Sequence, residues 1–217
     1  LGLFENPFVD EKQAVSVSKS LAHRKTALKA AHESIVLLKN DGVLPLKKGK
    51  YKRIAVIGPC AKDLWFGGYS GEPYEKVSLL DGIRTRAGND TEVLFAQGCR
   101  LTINTTISYF NWKYDEIKFA SREENLKLIK EAVKVASTAD LVILALGENE
   151  HLCREAWAQN HIGDNMTLDL FGEQGELADA ITALGKPVVL YMMNGRPLSI
   201  NTLAEKVPAI LEGWYMG

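Results

Sequence analysis

The protein has 217 residues, a formal net charge of −1, and 24% charged residues. This balance argues against binding nucleic acid or a membrane surface through bulk positive charge. No apolar run approaches the roughly 18 residues that a membrane span needs. The three cysteines, Cys60, Cys99 and Cys153, are too few and too widely spaced for a disulfide-rich scaffold. The length predicts one large domain or two small ones.

The predicted elements alternate between helices and strands. Residues 1–16 contain Asn6-Pro7 and no sustained hydrophobic period, so they are predicted to form a linker. An amphipathic helix is predicted from Ser18 to Asn40, because apolar residues recur there at spacings of three or four. Further along, the patterns predict strands at 53–58, 92–96, 141–146, 187–193 and from 209, and helices at 78–87, 121–136, 173–184 and 199–205.

The strands are short and continuously apolar, which is typical of strands that helices cover on both faces. Their alternation with helices predicts an α/β fold: a mostly parallel sheet of five to six strands flanked by helices, a three-layer α/β sandwich. The connections that follow three of the strands are long, at about 58–77, 97–120 and 147–172. Ligands bind outside the carboxyl ends of parallel strands, so these long loops mark the predicted binding edge.

The third of these loops is strongly acidic. Residues 147–171 contain five acidic residues and a single base, Arg154. Carboxylates crowded at a strand end raise one another's pKa by repulsion and desolvation, which suits general acid–base catalysis. A nearby Arg154 would lower the pKa of one of them. A solvated acidic loop without a catalytic role explains the composition equally well.

Aromatic residues are concentrated in the same loops. Trp65, Trp112 and Trp157 lie one in each loop. Flat aromatic faces among polar groups suit sugars, so the set favours a carbohydrate ligand. For any single ring, the alternative is that it holds a long loop in place.

Other kinds of site find less support in the sequence. One conceivable metal-binding group consists of His151, Cys153, Glu155 and His161. Its spacing matches no zinc pattern, so neither a metal nor a cofactor is predicted. The first strand leads into Gly58-Pro59-Cys60, where the glycines of a phosphate-binding fingerprint are absent. This disfavours a flavodoxin-like nucleotide binder.

Several ordered segments together resemble one known family. The segments are residues 1–8, 31–40, 44–46, 54–59, 194–198 and 211–215. They are similar to segments of glycoside hydrolase family 3, with residues 1–8 resembling the end of its barrel domain. That family consists of β-glucosidases, β-xylosidases and related exo-acting retaining enzymes. Its typical architecture is a barrel followed by an α/β sandwich with a six-stranded sheet.

The resemblance implies that residues 1–16 are the tail of a barrel and a linker, and that residues 17–217 are a sandwich domain continuing beyond the chain. The implied function is a fragment of a β-glucosidase acting on β-linked gluco- or xylo-oligosaccharides or glycosides. The missing barrel would supply the nucleophilic Asp, so the chain alone is expected to be inactive. The alternatives are a β-xylosidase of the same family and a non-catalytic carbohydrate-binding or interaction module. The whole protein is expected to be periplasmic or extracellular, with a cytoplasmic location left open.

The resemblance also implies the residues of the site. The family's acid/base commonly lies on the third long loop, which makes Glu155 the first candidate and Glu148, at the strand end, the second. The predicted sugar-binding residues are Trp65, Tyr69, Glu148 and Arg154. Tyr69 stands where the family often has a tryptophan after two glycines, and it retains an aromatic face.

Overall fold

The computed structural model describes residues 2–18, 20–67, 70, 75–103, 117–156 and 163–215. The elements along the chain are α1 (Glu11–Ser18), α2 (Leu21–Ser34), β1 (Val36–Asn40), β2 (Arg53–Ile57), α3 (Leu79–Ala87), β3 (Glu92–Ala96), β4 (Thr102–Ile103), β5 (Lys118–Phe119), α4 (Arg122–Ser137), β6 (Leu141–Gly147), α5 (Gln174–Thr182), β7 (Val188–Met193), α6 (Asn201–Lys206) and β8 (Ala209–Glu212). They form two compact units, Leu1–Val36 and Leu37–Gly217.

The larger unit is built around a six-stranded sheet with the order β1-β8-β7-β6-β2-β3. The pairs β2–β3, β2–β6, β6–β7 and β7–β8 are all parallel. Every residue of β6 and β7 is buried, as expected for central strands covered on both faces. The predicted α/β fold with a mostly parallel sheet is therefore confirmed.

The side chains of β6 alternate between two hydrophobic clusters, one on each face of the sheet. Val142, Leu144 and Leu146 pack into the cluster that includes residues of α4, α5 and α6. Leu141, Ile143 and Ala145 pack into the other cluster, to which α3 contributes Leu80. Helices thus lie on both faces, which gives the three predicted layers.

Serine caps begin two of the predicted helices. The Ser78 side chain accepts a hydrogen bond from the Asp81 N–H at the start of α3, and Gly88 ends that helix. The Ser121 side chain accepts from the Glu124 N–H in the same way at the start of α4. Each cap satisfies a helix N–H that has no partner within the helix. These caps explain why the predicted bounds of both helices agree with the structure.

Within the first 40 residues, the structure adds a helix to the predicted linker and ends the predicted helix early. Residues 1–16 were expected to be a linker, but α1 begins after Asp10, whose carboxylate accepts hydrogen bonds from the Lys12 and Gln13 N–H groups. The helix expected to reach Asn40 ends at Ser34, and β1 follows it beside β8. Residues 35–38 form a continuous apolar run, which periodicity alone cannot assign to helix or strand, and pairing with β8 selects the strand.

The long connection between β3 and α4 contains a second, small sheet that the sequence did not predict. In it, β4 and β5 pair antiparallel, with Thr102 opposite Phe119. Each strand has only two residues, so neither leaves a readable alternation of apolar and polar positions.

The smaller unit exposes its apolar side chains. No residue of α1 or α2 is buried. Val15, Leu21 and Leu28 expose 74%, 77% and 57% of their surface. The predicted domain boundary, between residues 16 and 17, falls inside α1, whereas the two compact units divide between Val36 and Leu37.

Candidate active site

The candidate site lies where the chain changes direction across the sheet. From β2 the chain continues outward to β3, whereas from β6 it continues to β7 on the opposite side. At such a point, parallel α/β sheets form a crevice outside the carboxyl ends of the strands, where ligands bind. The connection between β6 and α5, residues 148–173, begins at this edge and is called the β6–α5 loop below. It contains both candidate acid/base residues.

The β6–α5 loop starts from a rigid position in the sheet. Gly147 has a φ of 147°, and a Cβ at this residue would lie 1.8 Å from the Met193 carbonyl oxygen. The buried Gln174 holds both backbone groups of Gly147: its Oε1 accepts from the Gly147 N–H, and its Nε2 donates to the Gly147 carbonyl, each at 2.9 Å. Only glycine fits here, and its position fixes the direction in which the loop leaves the sheet.

Glu148 is fully buried and forms an ion pair with Arg196. Its Oε1 accepts hydrogen bonds from Arg196 Nη2 at 2.6 Å and Nε at 3.0 Å. Among the described residues, no group hydrogen-bonds its Oε2. Burial raises the pKa of the Glu148 carboxyl group, and the Arg196 guanidinium opposes that rise. Raised pKa values were expected in this loop from repulsion and desolvation, and for Glu148 the cause is desolvation by burial.

Arg196 also holds the far part of the β6–α5 loop. Its Nη1 donates to the Thr167 carbonyl at 2.9 Å. Three residues further on, the Ser199 N–H donates to the Leu168 carbonyl at 2.7 Å, and Ser199 forms a parallel bridge with Asp169. Residues 167–169 are thereby bound to the connection between β7 and α6.

Glu155 lies between two residues that Asp164 holds in place. The Asp164 N–H donates to the Arg154 carbonyl at 3.1 Å, and the Asp164 carboxylate accepts from the Ala156 N–H at 3.1 Å. Gly163 packs so closely that a Cβ there would lie 2.0 Å from the Arg154 carbonyl oxygen. Glu155 itself is exposed. Its backbone is therefore held on both sides while its carboxylate faces solvent.

The other predicted sugar-binding residues lie in different surroundings. Trp65 is 6% exposed, and its ring meets that of His151 edge-on, with centroids 6.1 Å apart. Arg154 is partly exposed. Tyr69, like the loop tryptophans Trp112 and Trp157, lies outside the described residues. The structure thus gives Trp65 a packing role, and its contact with sugar stays a prediction.

Comparison with known proteins identifies the family. Residues 35–217 match the family model described as "Glycosyl hydrolase family 3 C-terminal domain". The chain belongs to glycoside hydrolase family 3. It is 38% identical to a "Beta-xylosidase" of Formosa agariphila and 36% identical to a "Periplasmic beta-glucosidase" of Salmonella typhimurium, matching 100% of this chain in both cases. These matches cover 28% and 29% of the two relatives, so the chain spans less than a third of their length.

A solved structure supports the same assignment. The β-glucosidase EmGH1 from Erythrobacter marinus superposes with a TM-score of 0.87 and 42% identity, covering 99% of this chain and 29% of that chain. The resemblance that the sequence motifs indicated is therefore confirmed for the family and for its C-terminal domain. The roles of individual site residues stay predictions.

Two residues that organise this family 3 domain were missed from the sequence. Arg196 lies in the segment 194–198, which resembles the family, but the sequence alone predicts no role for its side chain. Gln174 gave no signal, because a glutamine that begins a helix is ordinary and its partner, Gly147, lies 27 residues away. Both residues act through contacts that form only when the strand ends come together.

Clusters of metal-ligating side chains and membrane-spanning helices were both sought in the part of the chain that the structure describes. No three His, Cys, Asp or Glu side chains are grouped so that they could hold a metal ion there. His161, one member of the conceivable metal group, lies outside this part. The same residues include no helix that is long and apolar enough to cross a bilayer.

Glu212, which ends β8, provides a test of electrostatics at this edge. It is 8% exposed, and its Oε1 accepts from the Trp214 N–H at 3.0 Å. Burial raises the pKa of its carboxyl group. The folded chain therefore binds more protons than the unfolded chain between the two pKa values, and stability falls as pH rises through that window.

Glu212→Gln, which can still accept from Trp214, is expected to be more stable than the wild type at pH 7.5. Below the unfolded pKa of about 4.3, both forms are neutral and the difference should vanish. Urea denaturation at pH 3.5 and 7.5 measures both values. Glu131→Gln, at an exposed position on α4, is the control. A less stable Glu212→Gln at pH 7.5 contradicts the prediction.

Proposed function

We propose that this chain is part of a retaining, exo-acting β-glycosidase that prefers β-glucosides, and that Glu155 is its general acid/base. The observation that carries the proposal is the exposed carboxylate of Glu155 on the β6–α5 loop. This loop leaves the ligand-binding edge of the sheet, in a domain that belongs to glycoside hydrolase family 3. Its backbone on either side is held by Asp164.

A retaining glycosidase needs two carboxyl groups about 5–5.5 Å apart, one as nucleophile and one as acid and then base. In the first step, Glu155 would donate a proton to the glycosidic oxygen as the nucleophile attacks the sugar. In the second step, its carboxylate would take a proton from the water that releases the sugar. An exposed carboxyl group on a fixed backbone suits both steps, because it can reach a substrate without losing its orientation.

Glu148 is less suited to this role. Its carboxylate is fully buried, and Arg196 occupies one of its oxygens. A proton donor must lie within hydrogen-bond reach of the leaving oxygen, and no substrate reaches a buried side chain without rearrangement. Glu148 and Trp65 would instead shape the sugar site from beneath, while the partly exposed Arg154 lies beside Glu155.

The nucleophile would come from the remainder of the polypeptide. We assign residues 1–16 to the tail of a preceding barrel domain and a linker, and residues 17–217 to the sandwich domain. The matched relatives are more than three times as long as the aligned part, which supports a further domain. Leu3, Phe4 and Phe8 expose 60%, 101% and 85% of their surface. Exposed apolar side chains of this size are typical of a surface that packs against another domain.

A β-xylosidase is the second candidate. The 38% identity to the Formosa agariphila β-xylosidase is slightly higher than the 36% identity to the Salmonella typhimurium β-glucosidase. The two substrates differ by the hydroxymethyl group of glucose. Since a proposed barrel would form part of the sugar pocket, parallel assays with both sugars are needed to distinguish them. The relative named as periplasmic supports a periplasmic or extracellular location for the whole protein.

Assays of the isolated 217-residue chain and of the complete polypeptide, side by side, test the proposal. The purified 217-residue chain is expected to release no 4-nitrophenol from the β-glucoside or the β-xyloside, whereas the complete polypeptide hydrolyses at least one of them with retention. Product configuration is read by proton NMR. A complete polypeptide that binds glucose but hydrolyses neither substrate would favour a carbohydrate-binding module. Turnover by the isolated chain, lost in Glu155→Ala, would refute the need for a barrel nucleophile.

A further inference from the structure

Arg196 joins the two limbs of the β6–α5 loop. One edge of its guanidinium holds Glu148, the first residue of the loop, and Nη1 holds the Thr167 carbonyl. The backbone of Arg196 is held by Asn194, whose side-chain amide donates to the Arg196 carbonyl at 2.9 Å. Its side chain is only 19% exposed. Because Nε, Nη1 and Nη2 each donate to a protein acceptor, Arg196 is placed to orient the loop rather than to bind substrate.

A continuous series of contacts leads from Arg196 to Glu155. Thr167 lies two residues from Asn165, whose side-chain amide donates to the Leu152 carbonyl. Asp164, the next residue back, holds the backbone on both sides of Glu155 through its N–H and its carboxylate. Each link in this series of contacts is either a hydrogen bond or a stretch of one or two backbone residues. A displacement at Thr167 would therefore be passed to the residues that hold Glu155.

We propose that Arg196 is a positioning residue for the acid/base, holding the β6–α5 loop so that the Glu155 carboxyl group meets the glycosidic oxygen. This inference rests on the proposed function. An arginine suits the task, because its planar guanidinium can donate to Glu148 Oε1 and to the Thr167 carbonyl at once and so fixes both the distance and the direction of the groups that it joins. Lysine at this position would supply the charge for Glu148 but could not bridge to Thr167 in the same geometry.

The test uses the complete polypeptide and aryl β-glycosides of graded leaving-group pKa. Arg196→Lys is expected to lower kcat/KM by at least about tenfold for poor leaving groups, since a displacement of about 1 Å can cost 10²-fold. For 2,4-dinitrophenyl glycosides, which need little protonation, kcat/KM should stay within about twofold of the wild type, because it reports only the first step. A merely structural role would reduce the amount of active enzyme, and the apparent kcat/KM would then fall by the same factor for every substrate. An equal loss across the series therefore overturns the proposal.

A double variant gives an independent check. If Arg196 acts through Glu155, Arg196→Lys/Glu155→Gln should be no slower than Glu155→Gln alone, because the acid is already lost. Additive losses overturn the proposal. Lys206→Met, which removes an exposed ion pair with Asp179, is the control for loss of a charge pair. If the unmodified complete polypeptide hydrolyses no glycoside, the proposed function has failed rather than the role of Arg196.

Hydrogen exchange on the 217-residue chain measures the positioning directly. Arg196→Lys is expected to raise the exchange rates of the Ala156 and Asp164 amides at least about tenfold, while amides in the centre of β6 stay protected. Unchanged rates at Ala156 and Asp164 overturn the proposal even if activity falls. Because this readout needs no activity, it separates the inference from the proposed function.

Discussion

Glu155→Gln in the complete polypeptide is expected to lower kcat/KM for glycosides with poor leaving groups by about 10²–10⁴-fold, the usual contribution of a general acid. The amide cannot protonate the departing oxygen, so the loss should shrink as the leaving group becomes more acidic. Steady-state kinetics with aryl β-glucosides of graded phenol pKa, and with the matching xylosides, measure the effect. Activity near that of the wild type on poor leaving groups would exclude Glu155 as the acid.

Two further variants complete this experiment. In Glu155→Ala, sodium azide should restore turnover of activated substrates, because the small anion attacks the glycosyl-enzyme without needing a base and yields the β-glycosyl azide. Asp169→Asn makes the same carboxylate-to-amide change at another exposed position of the β6–α5 loop. It is expected to stay within about twofold of the wild type. A loss in Asp169→Asn as large as that in Glu155→Gln would indicate a general charge effect rather than proton transfer.

Gly147→Ala is expected to lower the free energy of unfolding by about 2–5 kcal/mol. A left-handed backbone conformation at a residue with a side chain costs about 1–3 kcal/mol, and forcing atoms into a packed interior costs a similar amount. The added methyl would lie 1.8 Å from the Met193 carbonyl oxygen. The strand ends of β6 and β7 must separate to admit it. Urea denaturation of the 217-residue chain measures the loss.

Gly175→Ala is the matched control. A Cβ at Gly175 meets nothing within 4 Å, and the residue lies in the first turn of α5. Alanine favours a helix over glycine by about 0.5–1 kcal/mol, so this variant should be neutral or slightly stabilised. Equal losses in Gly147→Ala and Gly175→Ala would contradict the close approach of β6 and β7.

The sheet was largely predictable because its strands are buried on both faces. The seven residues of β6 are apolar or glycine, and such a run has few alternatives once helices flank it. Ser78 and Ser121 marked helix starts because the signal of a cap is local. β1 was mistaken for helix because its state is decided by β8, about 170 residues later in the chain, rather than by its own residues.

The candidate site was predictable only in part, for a related physical reason. The resemblance indicated Glu155 and Glu148 as candidates. Arg196, which forms the ion pair with the buried Glu148, lies 48 residues further along the chain. Neither composition nor periodicity reports which charges meet when strand ends converge. Whether a carboxylate is buried and paired or exposed and held by its backbone therefore became visible only in the folded chain.

The order of strands also has a consequence for how the chain is made. On the ribosome, β2 and β3 emerge early, but the strand that covers the inner edge of β2 is β6, whose Leu141 pairs with Ile54. Until β6 emerges, that edge offers unpaired N–H and C=O groups beside the buried side chains of β2. Nascent chains that stall before Leu141 are therefore expected to be prone to aggregate and dependent on chaperones.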